Sequence, residues 1–224
     1  MPKTYTLFRL AAFAAFSAVV TLSGLKVAAG LDFDLLQQAL VSRFGQGQLP
    51  LLRDWQQLIA DSRTQSESER IRQVNDFFNR RVGYADDFNV WGQADYWATP
   101  IEFIGRGWGD CEDFSIAKYY SLINAGIPLN KLRLVYVRVT QNGPGGPIQQ
   151  AHMVLAYYAT PNGEPQVLDN LNPNIRPASQ RPDLSPIFSF NSAGLWQGTG
   201  NQSSKSNLSR WQDLLQRARA EGFQ

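Results

Sequence analysis

Beyond residue 30 the hydrophobic pattern has two periods, and the switch between them divides the chain. Over residues 32–44, Leu35, Leu36, Ala39, Leu40 and Phe44 recur at helical spacing, and Gly45 follows as a stop. Pro50 opens a second helix with Leu51, Leu52, Trp55, Leu58 and Ile59 on one face. Ser66 and Glu69 form a capping-box pattern ahead of Ile71, Val74, Phe77 and Phe78, so a third helix runs to near Gly83. Residues 84–109 lack periodicity and predict irregular structure, and an irregular segment of that length in a small domain is often functional. A further helix starts at Asp110, with Phe114, Ile116, Tyr119, Tyr120 and Ile123 as its apolar surface and Gly126 and Pro128 as its stop.

From there the period becomes that of strands. Residues 132–140 form a β-branched apolar run, residues 142–147 a Gly- and Pro-rich turn, and residues 151–159 a second strand. Pro161-Asn162-Gly163 is a second turn, and Gln166 starts a third strand. Residues 172–208, rich in Pro, Ser, Asn and Gly, predict irregular structure. Ser209-x-x-Gln212 then caps a last helix with Trp211, Leu214, Leu215 and Ala218 inward. Helices followed by an antiparallel meander predict an α+β fold.

The first 30 residues stand apart. Lys3 and Arg9 precede an uncharged run over residues 10–25, and Val27-Ala28-Ala29 offers small residues at a cleavage point. This is the pattern of a secretory signal. The run is also slightly short of the roughly 20 residues of a spanning helix, so an uncleaved anchor is the alternative. Either reading places residues 31–224, a single domain, outside the cytoplasm.

Charge changes the picture by exclusion. The chain carries 21 Lys+Arg against 19 Asp+Glu, but Lys3, Arg9 and Lys26 fall in the leading segment, which holds no acid. The remaining 18 cations against 19 acids give a net charge of −1, and no bulk electrostatic reason to bind nucleic acid. One cysteine and one histidine exclude a disulfide framework, a Cys-rich zinc site and a multi-histidine metal site.

Those two single residues are the candidate chemistry. Cys111 sits in the first turn of the helix that Asp110 caps, with Asp113 placed to return the bond. A helix start favours a thiolate, but the carboxylates of Asp110, Glu112 and Asp113 oppose it, so the sulfur needs a cation, base or metal nearby. His152 stands at the start of the second strand and Asp169 at the end of the third. Nucleophile, base and orienting acid on helix, strand and strand make a coherent set. Each has a bland reading: a lone cysteine as a small buried hydrophobe, a lone histidine as a structural residue, an aspartate before Leu-Asn-Pro as a turn residue. Their order is what is specific: His152 follows Cys111 by 41 residues, and Asp169 follows His152 by 17. The tight second turn, however, predicts Asp169 opposite residues 155–156, which requires a bulge, a longer loop or strand curvature to bring it to His152.

Trp97-Ala98-Thr99-Pro100-Ile101-Glu102-Phe103, the block Gly105-Arg106-Gly107-Trp108-Gly109-Asp110-Cys111-Glu112-Asp113-Phe114, Ala151-His152-Met153-Val154-Leu155 and Leu168-Asp169-Asn170 resemble the bacterial transglutaminase-like cysteine proteinases, among them periplasmic enzymes that release adhesins. The similarity covers residues 35–180. It implies a papain/transglutaminase-like fold, with helices on a small antiparallel sheet, and Cys111, His152 and Asp169 as nucleophile, base and orienter. It implies a calcium ion held partly by Asp110 and Glu112, with Asn130 as a further candidate ligand. It implies cleavage near a di-alanine site in the amino-terminal region of a large repeat-rich adhesin, and inhibition by the periplasmic domain of an inner-membrane cyclic-di-GMP receptor of the LapD type. Acyl transfer by a transglutaminase or amidase, and a non-catalytic binding module, are the alternatives. Asp113 reads as a cap or structural carboxylate. Trp97 and Trp108 read as cleft residues, with at least one of them in the core.

Overall fold

The computed structural model describes Met1, residues 31–200, 203–204 and 208–223. The candidate export segment lies outside the described residues, and none of the described helices is long and apolar enough to cross a membrane.

The helical part contains α1 (Phe33–Phe44), α2 (Leu49–Ser62) and α3 (Glu67–Arg81). Asp32 caps α1, Ser66 caps α3, and Pro50 lies in the first turn of α2. Residues 84–109 are more ordered than the sequence predicted. They hold α4 (Asp87–Trp91) and α5 (Pro100–Arg106), together with β2 (Trp108–Gly109), which pairs in parallel with β1 (Gly83–Tyr84). Helices of five and seven residues are too short to display a hydrophobic period. Thr99 and Glu102 nevertheless close a reciprocal capping box on α5.

α6 (Cys111–Asn124) is the central helix and is buried along nearly its whole length. It packs between α3 and a sheet that begins with β3 (Leu132–Gly143) and β4 (Gly146–Tyr157). These two form a hairpin closed at Gly143 and Gly146, tighter than the predicted six-residue turn. β5 (Gln166–Leu168) pairs with β4, and β6 (Arg176–Pro177) with β5. On the other side of β3 come β7 (Leu184–Asn191), β8 (Gly194–Gln197) and β9 (Ser203–Ser204). Among the described residues the sheet has seven strands in the order β6-β5-β4-β3-β7-β8-β9, every pair antiparallel.

Much of the region predicted to be irregular over residues 172–208 is therefore sheet. Phe188 and Phe190 of β7 pack in the helix-side core while Leu184 lies against the opposite cluster, so the two-residue period changes face within the strand and Pro186 disguises it further. The proline sits where the register with β3 shifts, between Tyr136 opposite Phe188 and Val137 opposite Pro186. A proline is tolerated in a strand at such a bulge. α7 (Ser209–Glu221) closes the chain and lays Trp211 and Leu214 on the core.

The sheet has two apolar faces. Leu132, Leu134, Met153, Leu155 and Leu168 join the helices in one core, with the fully buried Trp55, whose Nε1–H donates to Ser121 Oγ at 2.7 Å. Val135, Val137, Val154, Ala156 and Val167 form a smaller cluster on the opposite face. Two buried faces explain why β3 and β4 read as continuous apolar runs rather than alternating ones.

Candidate active site

The capping box at α6 forms as its spacing predicted. Asp110 Oδ1 accepts from the Glu112 N–H at 3.2 Å, and Asp113 Oδ2 accepts from the Asp110 N–H at 3.4 Å. Asp113 is fully buried and its Oδ1 also takes the Ala98 N–H at 2.7 Å, which ties the chain before α5 to the start of α6. Gly109 has no room for a side chain, since a Cβ there would collide with the Asp113 carboxylate and the Phe103 ring.

The β1–β2 pairing adds a residue that sequence reasoning missed. It places Tyr84 opposite Gly109, and the chain then turns into α4, where Asp86 is the cap and Asp87 the first residue. Asp87, Asp110 and Asp113 thereby come together with ligand atoms within 4.8 Å of one another, and so do Asp110, Cys111 and Glu112. Asp87 Oδ2 accepts from the Tyr96 N–H at 2.5 Å, while Asp87 Oδ1 is buried without a partner. Burial, then repulsion from the neighbouring carboxylates, pushes Asp110 up to about 10 and Asp87 up to about 6. Converging acidic oxygens with one buried atom unpaired fit a hard, oxygen-seeking divalent cation. Asn130 cannot contribute. It is exposed in the turn beyond the far end of α6, and a helix of 14 residues is about 20 Å long.

Cys111 is 9 % exposed, and its thiol donates to Glu112 Oε2 at 2.7 Å. Burial, then the charges of Glu112 and Asp110, push the thiol well above its usual value, while the Met153 backbone N–H pulls the other way. The sulfur therefore touches β4 at the peptide that follows His152. One turn along, Ser115 Oγ donates to the Met153 carbonyl at 3.0 Å and fixes α6 on that strand.

His152 and Asp169 meet directly. Leu155 pairs with Leu168, so Asp169 continues the register toward Val154, and His152 is its diagonal neighbour on the same face. That diagonal closes the expected gap without a bulge. His152 Nε2 and Asp169 Oδ1 are 2.8 Å apart, with both side chains buried. Burial pushes the Asp169 carboxyl up, but hydrogen bonds from His152, Arg181 and the Leu171 N–H more than offset it and hold it at about 2. An ionised carboxylate only accepts, so Nε2 carries the proton and Nδ1 is the free imidazole nitrogen. Arg181 and Asp87 were not found from sequence, because each arrives through a tertiary contact with no local motif.

Around this centre Trp97 is core, stacked on Phe190 with ring centroids 5.5 Å apart, whereas Trp108 is exposed. Tyr84 is exposed close to Cys111 and the flanking acids; burial of its hydroxyl and those charges push it up to about 12. Glu112 also lines a groove of about 280 Å³ that runs past Trp97, Tyr136, Phe188, Leu208 and Arg210.

A cysteine at the start of the packed central helix, with an antiparallel sheet against that helix and a buried histidine–carboxylate pair on the sheet, fits a transglutaminase-like fold of the cysteine-proteinase class. The chain belongs to the bacterial transglutaminase-like cysteine proteinases, whose family model matches residues 54–183. It is similar to Legionella pneumophila LapG in its calcium-bound structure, at 38 % identity over 83 % of this chain and 98 % of that one, with a TM-score of 0.71. A second LapG structure gives 38 % identity over 85 % and 99 %, with a TM-score of 0.69. An EGTA-treated form gives 37 % over 85 % and 100 %, with a TM-score of 0.69. A search of the curated proteins gives no match.

Proposed function

We propose that the protein is an exported, calcium-dependent cysteine endopeptidase that cuts the amino-terminal region of a large repeat-rich surface adhesin, near a di-alanine site, and so frees the adhesin from the cell. The observation that supports the chemistry is the buried His152–Asp169 pair, with His152 next along β4 from Met153, whose backbone N–H meets the Cys111 sulfur. In this reading the thiol proton passes to His152 Nδ1 as Cys111 Sγ attacks the scissile carbonyl. The imidazolium then protonates the leaving amine, and water, deprotonated by the same nitrogen, hydrolyses the thioester. Asp169 keeps the proton on Nε2 and so keeps Nδ1 toward the reaction. Backbone N–H groups near the start of α6 would hold the oxyanion.

Asp110, Glu112, Asp87 and Asp113 are the residues that would hold calcium, with backbone carbonyls completing about six to eight oxygen ligands. A bound ion would neutralise the carboxylates that now raise the Cys111 thiol. Periplasmic location rests on the basic and apolar leading segment. The periplasmic domain of an inner-membrane cyclic-di-GMP receptor of the LapD type is the proposed inhibitor, and its addition should slow cleavage.

The test is incubation of the purified protein with candidate adhesin amino-terminal regions, with calcium or EGTA, and mass spectrometry of the products. Two fragments with calcium and none with Cys111→Ala are expected. Crosslinked species of higher mass would reassign the site to acyl transfer. A Cys111 that alkylates no faster than an ordinary exposed thiol, with no substrate cut, would make this a non-catalytic binding module.

A further inference from the structure

Asp169 has a second partner that the triad does not require. Its Oδ2 accepts from Arg181 Nη2 at 2.7 Å, and the Arg181 side chain is 3 % exposed. Arg181 is itself held from behind. Its Nε donates to Asp183 Oδ1 at 3.0 Å and its Nη2 to Asp183 Oδ2 at 2.7 Å. The backbone there is tied by the Arg181 N–H to the Ala178 carbonyl at 3.0 Å, and by the Ala178 N–H to the Pro165 carbonyl at 3.0 Å.

We propose that Arg181, braced by Asp183, is a positioning residue for the reaction, fixing the Asp169 carboxylate in the orientation from which it holds His152. The inference rests on the triad reading given above. Its physical basis is the softness of the aspartate side chain. The torsion that turns a carboxylate is broad, so the bonds at Oδ1, from His152 and from the Leu171 N–H at 2.9 Å, do not lock it. A charge-assisted bond at the other oxygen does. The Asp169 side chain is fully buried, so losing Arg181 would strip Oδ2 of its charge-assisted donor at a buried site. The titratable and charged groups around Asp169 are His152 from β4, Arg181 and Asp183 from the segment before β7, and Lys118 from α6, which also feels Asp76 on α3.

The single histidine makes the test direct, because one imidazole gives one set of proton and nitrogen resonances. In the full exported domain, the Nε2–H proton is expected downfield and protected from exchange. Arg181→Leu should abolish that protection, and Arg181→Lys should restore part of it. Iodoacetamide alkylation of the single cysteine at pH 7 should slow by about ten- to hundred-fold in Arg181→Leu, the scale seen for outer partners that orient a reactive group. Asp183→Asn, a milder change at a half-exposed site, should give faster exchange than the unaltered protein and slower than Arg181→Leu. An Nε2–H resonance equally protected in Asp183→Asn and Arg181→Leu would overturn the proposal. Should Arg181→Leu fail to fold, an Asp183→Asn resonance identical to that of the unaltered protein would overturn it alone. Lost protection with unchanged alkylation would uphold the brace and refute the thiol–imidazole reading instead.

Discussion

Lys118 is a buried ammonium on α6, and its replacement tests the electrostatics around Asp169. It lies two turns after Cys111 on the helix face that meets the sheet, and it is 1 % exposed. Its ammonium stands 5.8 Å from the centre of the Phe114 ring. Burial pulls its titration down to about 7 from 10.5, with Asp169 and Asp76 offsetting only part of the effect. The unfolded chain binds the proton more tightly, so stability rises with pH between about 7 and 10.5 and is lowest below 7. A shift of that size sets a ceiling of about 5 kcal/mol against folding at acidic pH. Lys118→Met keeps the length and removes the charge. Asp169 still has His152 and Arg181, so the change leaves no buried carboxylate unpaired. Allowing for the lost cation–π contact and imperfect refilling, the variant should be more stable by about 1–4 kcal/mol at pH 6. Urea denaturation of both proteins from pH 6 to pH 10 measures this. The advantage must shrink as pH rises toward 10, because groups common to both proteins cancel in the difference. A variant less stable at pH 6, or a difference that is flat with pH, would refute the reasoning.

Glu102 is 1 % exposed and accepts from Arg43, Arg217, the Tyr96 hydroxyl and the Thr99 N–H, joining α1, α5 and α7. Glu102→Ala should cost about 3–5 kcal/mol in urea denaturation, and a loss below 1 kcal/mol would mean the cluster is incidental. Asp169 titrates lower in the folded protein than in the unfolded chain, so its contribution of about 2 kcal/mol is present above pH 4 and is lost as pH falls toward 2. Asp169→Asn should therefore remove that part of the acid sensitivity, as followed by circular dichroism, whereas an unchanged acid transition would contradict the pairing. Asp87→Asn should raise the melting temperature in EGTA, by relieving repulsion, and reduce the further rise on adding calcium. Equal calcium-induced shifts in both proteins would exclude Asp87 as a ligand.

The parts of the fold legible in the sequence are those decided locally. The Ser66 and Asp110 caps, the Gly126 stop and the apolar runs of β3 and β4 each act within a few residues, and each appears where its chemistry placed it. β7 was hidden because Pro186 is compatible with a strand only at the bulge, and the bulge is a property of the pairing with β3. α5 carried a readable signal in Thr99-Pro100-Ile101-Glu102, a capping box with proline in the first turn, that lack of periodicity masked. In the site, Asp110, Cys111 and Glu112 were found because they are consecutive. Asp87 reaches them only through the two-residue β1–β2 pairing, and Arg181 reaches Asp169 from a three-residue 3₁₀ turn. Neither contact has a sequence signature.

The Asp169 half of the site pairs its charges and the Cys111 half gathers acids, so the two halves differ in what an added cation would change. Around Asp169, one carboxylate is matched by Arg181, and the imidazole completes its bonds. Around Cys111, Asp87, Asp110, Glu112 and Asp113 converge on the start of one helix. A helix end offers the equivalent of about half a positive charge, too little to balance them. The thiol consequently donates to Glu112, the arrangement least suited to forming a thiolate. A cation on those oxygens would relieve the charges that raise the Cys111 thiol and leave the contact between His152 and Asp169 as it stands.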